Sequence, residues 1–425
     1  MQALNFFDVD KRLCEIADKA LLNCKEKFNE IDEIKAFNQA KVLSAFIKNG
    51  VSAAHLIGTS GYGYDDSGRD NLDRVFATAF KAEDCVVRHN FMSGTHTIST
   101  ALFGLLRPGD KMLSVTGEVY DTLLSVIGKN YKKGDGSLRD FGIIYDEVPL
   151  LESGLYDLEA IKEACKENIK MAYIQRSRGY SLRPSFTEEQ TEEIISAIRS
   201  VNKTAIIVVD NCYCEFVSKR EPTEYGADII IGSLIKNAGG GVARTGGYIA
   251  GKKDLVALCA DRLAYVGTGK EIGCSLDMNR ELYLGFFNAP QTSASAVKTA
   301  VFAAEFYSLL GFETTPKSTE TRADIVQCLL LENSEKLISF CKGIQSGSPI
   351  DSFATPFPSY MPGYESKVIM AAGAFTMGAS IELSADAPLR EPYAVWLQGS
   401  LNFESSIIGI MLSAQNMLNE GLLTL

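Results

Sequence analysis

AIIVVDNCYCEF (Ala205–Phe216) and ADIIIGSLIKNAGGGVARTGGYI (Ala227–Ile249) decide the fold. Two runs inside them, Ile206–Val209 and Ile229–Ile231, are wholly apolar and β-branched. Runs of this length without alternation suit strands of a parallel sheet covered on both faces. Each run ends in polar groups, Asp210 after the first, Ser233 and Lys236 after the second. Open α/β sheets bind ligands at the carboxyl ends of their strands, so these three groups are expected to share one crevice.

Working outward, repeated strand–helix alternation extends the pattern. Lys111–Val115, Gly142–Tyr145 and Met171–Gln175 read as strands, Leu158–Cys165 and Glu188–Ile198 as helices, the latter opened by a capping box of Thr187 and Gln190. Repeated β-α units predict a mostly parallel sheet with helices on both faces. Asp8 reads as the N-cap of a first helix. A second is predicted over Ile31–Lys48, with Ile34, Phe37, Leu43, Phe46 and Ile47 facing inward. After Gly251 the pattern changes. Helices are predicted over Lys253–Tyr265 and Leu276–Val301, the second interrupted at Asn288-Ala289-Pro290. A loop over Ile344–Tyr364, a hairpin of Lys367–Ala374 with Ala379–Leu383, and a final helix Glu404–Asn419 make a smaller α+β domain. The expected division is a helical segment over 1–57 that packs on the small domain or a neighbouring subunit, a large domain over 58–300, and a small one over 301–425.

The 425 residues carry 42 Lys+Arg against 53 Asp+Glu, a net charge of −11, which argues against nucleic-acid and anionic-membrane partners. No apolar run is long enough to span a membrane, and the first twenty residues lack a leader pattern. With ten cysteines in no framework spacing, the expectation is a cytoplasmic protein with reduced thiols. Cys212 and Cys214 form a CxC, but there are only three histidines and no second cysteine pair nearby, so no metal site is expected.

The acid, hydroxyl and lysine suit pyridoxal phosphate. Lys236 would form the Schiff base and Asp210 would face the ring nitrogen. Upstream, Ser93-Gly94-Thr95 opens a helix and offers its free amides to a phosphate, although Ser there also suits a plain N-cap. Tyr120 follows a strand end and could lie on a planar ring. The loop Gly58–Asp70 is rich in glycine and carries Tyr64 and Arg69. Three arginines lie in QRSRGYSLRP, Gln175–Pro184. No GxGxxG follows a strand, which disfavours a dinucleotide-binding dehydrogenase.

In order and spacing these residues resemble the fold-type-I pyridoxal-phosphate enzymes, the aspartate aminotransferase superfamily, over most of the chain. The resemblance implies a seven-stranded sheet and assigns roles. Ser93, Gly94, Thr95, Ser233 and Arg244 would hold phosphate, and Tyr213 the ring hydroxyl. Arg390, within DAPLREPY, would hold the substrate carboxylate, with Gln175 beside it, while Tyr64 and Arg69 would reach a neighbouring subunit's phosphate. GYGYDDSGRD, GSLIKNAGGG and PLREPYAVWLQGSL resemble more closely the methionine gamma-lyase family proteins called aluminium resistance proteins. That branch implies a homodimer as the active unit within a homotetramer. It also implies carbon–sulfur lyase chemistry on an amino acid, by β- or γ-elimination, with Lys236, Asp210 and Tyr120 as catalytic residues. The chain departs from the better-studied lyases at Ile235, where they carry threonine, and at Gln175-Arg176-Ser177, where they carry an asparagine-containing turn. An aminotransferase, or a protein that binds the cofactor without turnover, are the alternatives at this level.

Overall fold

A computed structural model describes residues 6–129, 132–361 and 366–425. Met1–Asn5 of the amino terminus and Pro362–Tyr364 of the predicted loop lie outside the described residues. The chain divides into two compact units, residues 37–290 and residues 1–36 with 291–425. The divisions thus fall inside two helices, where the sequence placed them at 57 and 300.

Helices α1 (Lys11–Asn23) and α2 (Lys25–Lys48) open the chain. Asp10, not Asp8, caps α1, its carboxylate accepting the Arg12 amide. In α2, Val42 and Ala45 are buried, whereas Phe37, Leu43 and Ile47 lie on an exposed face, contrary to the inward placement expected of them.

The larger unit continues with α3 (Ser67–Ala79), β1 (Asp84–Arg88), α4 (Gly94–Leu105), β2 (Lys111–Ser114), α5 (Asp121–Ile127), β3 (Ile144–Glu147), α6 (Leu158–Cys165), β4 (Met171–Gln175), α7 (Glu188–Val201), β5 (Ile206–Asp210), β6 (Ile229–Ser233), β7 (Gly247–Gly251) and α8 (Lys253–Leu263). The seven strands form one sheet in the order β1-β7-β6-β5-β4-β2-β3. All run parallel except β7, which is antiparallel to both its neighbours. Its first residue, Gly247, pairs with Arg88 at the end of β1 on one side and with Ser233 at the end of β6 on the other. Alternate residues of β5 enter two cores: Ile207 and Val209 meet α3, α6 and α7, while Ile206 and Val208 meet α4, α5 and α8. Each fully buried Ile or Val contributes about 1.5–3 kcal/mol, so an unbroken apolar run is what a doubly covered strand requires. The expected strand at Gly142 begins later, because Gly142 has φ +77° and donates its amide into a turn to Arg139.

Helix α9 (Asn279–Leu309) holds Pro290 in its interior without interruption. Proline costs a helix about 3 kcal/mol. Burial of Ala289, Thr292, Ser293, Ala296, Val297 and Ala300 around it keeps the helix intact. The smaller unit adds β8 (Glu313–Thr315), β9 (Val326–Leu330), α10 (Ser334–Ser346), β10 (Val368–Ala371), β11 (Ser384–Pro388), β12 (Ala394–Gln398) and α11 (Phe403–Asn419). Its strands form an antiparallel sheet in the order β10-β11-β12-β9-β8. Leu13, Ala17 and Ala20 of α1 share a core with Phe302, Phe306, Phe340 and Met411. The predicted loop begins three residues late, since α10 runs through Ser346. The predicted hairpin exists, but its second strand is β11, beyond Ala379–Leu383. In between, backbone donors go to side chains instead of a ladder: Phe375 and Thr376 donate to the Glu382 carboxylate, and Ala372 donates to Gln345.

Before α3, the glycine-rich loop is tied down by its N-cap, Asp66. This buried carboxylate accepts from the Arg69 amide, the Thr59 and Ser275 hydroxyls and the Asn279 amide. Burial raises the carboxyl, but those four donors outweigh it and hold it at about 2, below its ordinary 3.8. A carboxylate depressed on folding stabilises fully above its ordinary value, and the contribution is lost as pH falls toward the folded value. Asp66→Ala is therefore expected to lower unfolding free energy by about 2–3 kcal/mol in urea melts at pH 7. Its deficit relative to wild type should shrink on acidification below pH ~4.

Candidate functional site

The carboxyl ends of β4, β5 and β6 deliver Gln175, Asp210 and Ser233 to one rim of the sheet. Three residues beyond Ser233 the chain turns, placing Lys236 at the head of a 3-10 turn, Asn237–Gly239. The loop after β1 brings the N-terminus of α4 to the same place. Ser93 caps this helix by accepting the His96 amide. A Cβ on Gly94 would lie 3.4 Å from the Cys212 sulfur, 3.5 Å from the Ser233 Cβ and 3.7 Å from Lys236 Nζ. Helix N-terminus, serine and lysine therefore face one space, which glycine leaves open. Thr95 accepts the Tyr120 hydroxyl at 2.9 Å and contacts the Thr122 hydroxyl at 2.9 Å, so the cap of α5 is tied to the first turn of α4.

The buried Asp210 carboxylate accepts the Cys212 amide at 3.1 Å and the Tyr173 hydroxyl at 3.4 Å. Burial pushes this carboxyl up; the Lys236 charge and these donors pull it back. Burial also pushes up the Tyr120 phenol and the Cys212 thiol, so both are neutral near pH 7. Burial opposes the Lys236 ammonium, and the Asp210 carboxylate is the charge that favours it. The Ser233 hydroxyl is buried with no hydrogen-bond partner among the described residues, which is costly unless a ligand supplies one.

Of the residues singled out in the sequence, Ser93, Gly94, Thr95, Tyr120, Gln175, Asp210, Tyr213, Ser233 and Lys236 converge here. Tyr213 places its ring centroid 3.9 Å from Lys236 Nζ. Gln175 serves as a brace: its oxygen accepts the Tyr120 amide and its nitrogen donates to the Ser177 carbonyl.

Two arginines are engaged within the chain. Arg244 is two-thirds exposed and makes a forked ion pair with Glu281, at 2.6 and 2.8 Å. Arg69 lies inside α3, 3 % exposed, with its guanidinium on the Gly63 and Gly273 carbonyls and on Asp70. Its Nε and Nη1 donors are taken within its own chain, where they brace the glycine-rich loop. Tyr64 is exposed and stacks on Tyr62 at 5.6 Å. Arg176 donates to Asn211, and Arg183 to the carbonyls of Gln175, Ser177 and Pro184; both point into the protein. In the smaller unit, Arg390 lies exposed in the turn between β11 and β12, its guanidinium without hydrogen bond or ion pair among the described residues.

Sequence reasoning passed over Tyr173, Asn237 and Glu215, and weighed Cys212 only as a metal ligand. Tyr173 alternates with Gln175 on β4 and so shares its face, a signal that was available. Glu215 is fully buried and accepts the Tyr248 hydroxyl at 3.0 Å, and burial pushes its carboxyl up to about 8. Nothing local distinguishes it from a surface glutamate.

With this sheet and its strand-end crevice goes a class. The fold is that of the fold-type-I enzymes that work with pyridoxal phosphate. The pyridoxal-5'-phosphate dependent protein YhfS from Escherichia coli matches 92 % of the chain, and the chain 97 % of it, with a TM-score of 0.61 at 17 % identity, a likeness of fold alone. Within that class the chain belongs to the methionine gamma-lyase family, whose profile matches residues 13–418. It is 47 % identical to the uncharacterized protein YnbB of Bacillus subtilis (strain 168), over 88 % of this chain and 89 % of that one. A crystal structure named carbon-sulfur lyase involved in aluminum resistance, from Clostridium novyi NT, has a TM-score of 0.94 at 46 % identity, covering 98 % of each chain. Among the described residues no helix is long and apolar enough to cross a membrane.

Gly94 offers a test of the cradle. The Cβ distances of 3.4–3.7 Å are ordinary contacts, so Gly94→Ala should fold as the wild type does. The added methyl group fills the space that a phosphate would enter. Retention of added pyridoxal phosphate, measured by dialysis and absorbance, is expected to weaken about tenfold, or 1.4 kcal/mol.

Proposed function

We propose that the chain is a pyridoxal-phosphate-dependent carbon–sulfur lyase acting on a sulfur-containing amino acid. The observation that carries this is the shared space between Lys236 Nζ, the orphaned Ser233 hydroxyl and Gly94 at the head of α4, with Asp210 behind them. These groups fit the cofactor: an amine for its aldehyde, a carboxylate for its ring nitrogen, and a hydroxyl with free helix amides for its phosphate. Bound there, the cofactor would supply an electron sink for charge left at the substrate's Cα.

The rest falls to this chain's own side chains. Ser93, Gly94, Thr95 and Ser233 would hold the phosphate, and Asp210 would pair with the ring nitrogen. Lys236 Nζ would act as the base that takes the substrate's Cα proton. The departing sulfur then needs a proton, from Lys236 or from Tyr120, whose phenol is kept neutral by burial and oriented by Thr95. With water consumed, the products are a thiol, ammonia and a 2-keto acid. We assign a homodimer as the working unit, on the exposed Tyr62 and Tyr64 of the glycine-rich loop.

The test is to incubate the protein with L-cysteine, L-cystathionine or L-methionine and measure thiol, ammonia and keto acid, with and without an added keto-acid acceptor. Release of all three without acceptor is expected for at least one substrate. Turnover only with the acceptor would mean transamination, and no turnover on any sulfur amino acid would remove the lyase assignment.

A further inference from the structure

The turn after β5 is held by a side chain next to the lysine. Asn237 is fully buried, and its amide nitrogen donates to the carbonyls of both Tyr213 and Glu215 at 3.0 Å. The turn needs holding. Tyr213 has φ +73° and Phe216 φ +63°, a backbone region that non-glycine residues rarely enter. The Cys214 amide adds a bond to the Asn211 carbonyl at 3.0 Å. In this conformation the face of Tyr213 lies against Lys236 Nζ, 3.9 Å from the ring centroid.

We propose that Asn237 is a positioning residue: it clamps the Tyr213 ring against Lys236, and the ring holds that amine in its charged form. A cation over an aromatic face is attracted by the ring's quadrupole. The other groups facing Lys236 are Asp210, Cys212 and Glu215 from β5 and its turn, and Tyr120 from the cap of α5. Near pH 7 burial keeps the Cys212 thiol and the Tyr120 phenol neutral and lifts the Glu215 carboxyl to about 8, so Asp210 and the Tyr213 ring favour the ammonium there, and Glu215 joins them as it ionises at higher pH. A protonated amine does not attack a carbonyl, so the clamp sets the pH at which Lys236 can be captured by an aldehyde. That consequence rests on Lys236 being the cofactor's anchor; the protonation itself does not.

The full chain, freed of cofactor with hydroxylamine, is labelled competitively with acetic anhydride across a pH series. Lys236 is read by peptide mass spectrometry against the exposed Lys48. Asn237→Ala is expected to lower the Lys236 midpoint by about one pH unit, and Tyr213→Leu by the same amount. The double variant should show no further shift, because one residue acts through the other. Tyr213→Phe, which keeps the ring face, should stay at the wild-type midpoint. An unmoved midpoint in Asn237→Ala, additive shifts in the double variant, or Tyr213→Phe behaving like Tyr213→Leu would overturn the proposal. Should Asn237→Ala fail to fold by circular dichroism, Asn237→Ser keeps one donor and should shift the midpoint partway; no shift there is equally fatal. The labelling reads the amine whether or not the cofactor attaches to it, so its outcome is separable from that of borohydride mapping.

Discussion

Lys236→Ala is expected to lose the covalent cofactor link and turnover together. Wild-type protein reduced with borohydride should carry the cofactor on the peptide containing Lys236, and the variant should carry none. The rate should fall by at least about 10³-fold. A positioned base alone contributes roughly 10²–10⁴-fold, and the variant loses both the anchor and the base. No neighbour can substitute, because Cys212 and Tyr120 are held in their neutral forms by burial. An adduct on a different lysine, or near-normal turnover by the variant, would show that the crevice at the ends of β5 and β6 is not where the chemistry occurs.

Asp210→Asn is the second large effect. The amide keeps the shape of the carboxylate; its one oxygen can still accept the Cys212 amide, while its nitrogen takes the place of the oxygen that accepted the Tyr173 hydroxyl and can donate to it. It cannot carry the negative charge that keeps a ring nitrogen protonated. Preorganised charges at a developing centre of this kind contribute about 3–4 kcal/mol, so the rate of Cα proton exchange should drop by roughly 10²–10³-fold. Exchange of that proton with deuterated solvent, followed by mass spectrometry of the amino acid, measures this step apart from product release. Cofactor should still bind through Lys236, Ser233 and the head of α4. Exchange at the wild-type rate would remove Asp210 from the charge-stabilising role.

What could be read in the sequence was whatever depends on near neighbours. Val208 and Ile230 sit in buried strands because any burial on both faces demands that pattern, and Thr187 with Gln190 forms its capping box within one helical turn. Asp210, Ser233 and Lys236 were visible because strand ends share a rim whatever the loops do. Direction of long side chains was not visible. Arg244 turns to Glu281, 37 positions away, and Arg69 to a carbonyl 204 positions away. Both choices depend on partners that only the folded chain supplies. Pro290 misled for the related reason that the cost of a proline is local while the packing that outweighs it is not. Asn237 and Glu215 were missed because a clamp and a neutral buried acid are defined by what surrounds them.

The reversed strand β7 has a consequence for mutational tolerance. Its first residue touches no ligand and carries no side chain, yet it stands between the ends of β1 and β6. A Cβ on Gly247 would lie 2.2 Å from the Thr97 hydroxyl oxygen and 3.0 Å from the Gly232 carbonyl. That Thr97 hydroxyl donates to the Ser93 carbonyl, at the entrance to α4. A larger residue at 247 would have to displace the Thr97 side chain and break its bond to Ser93, loosening α4's first turn beside Ser233. In a saturation scan selected for activity, this glycine should therefore be as depleted of substitutions as Lys236, while the nearby Thr245 tolerates more.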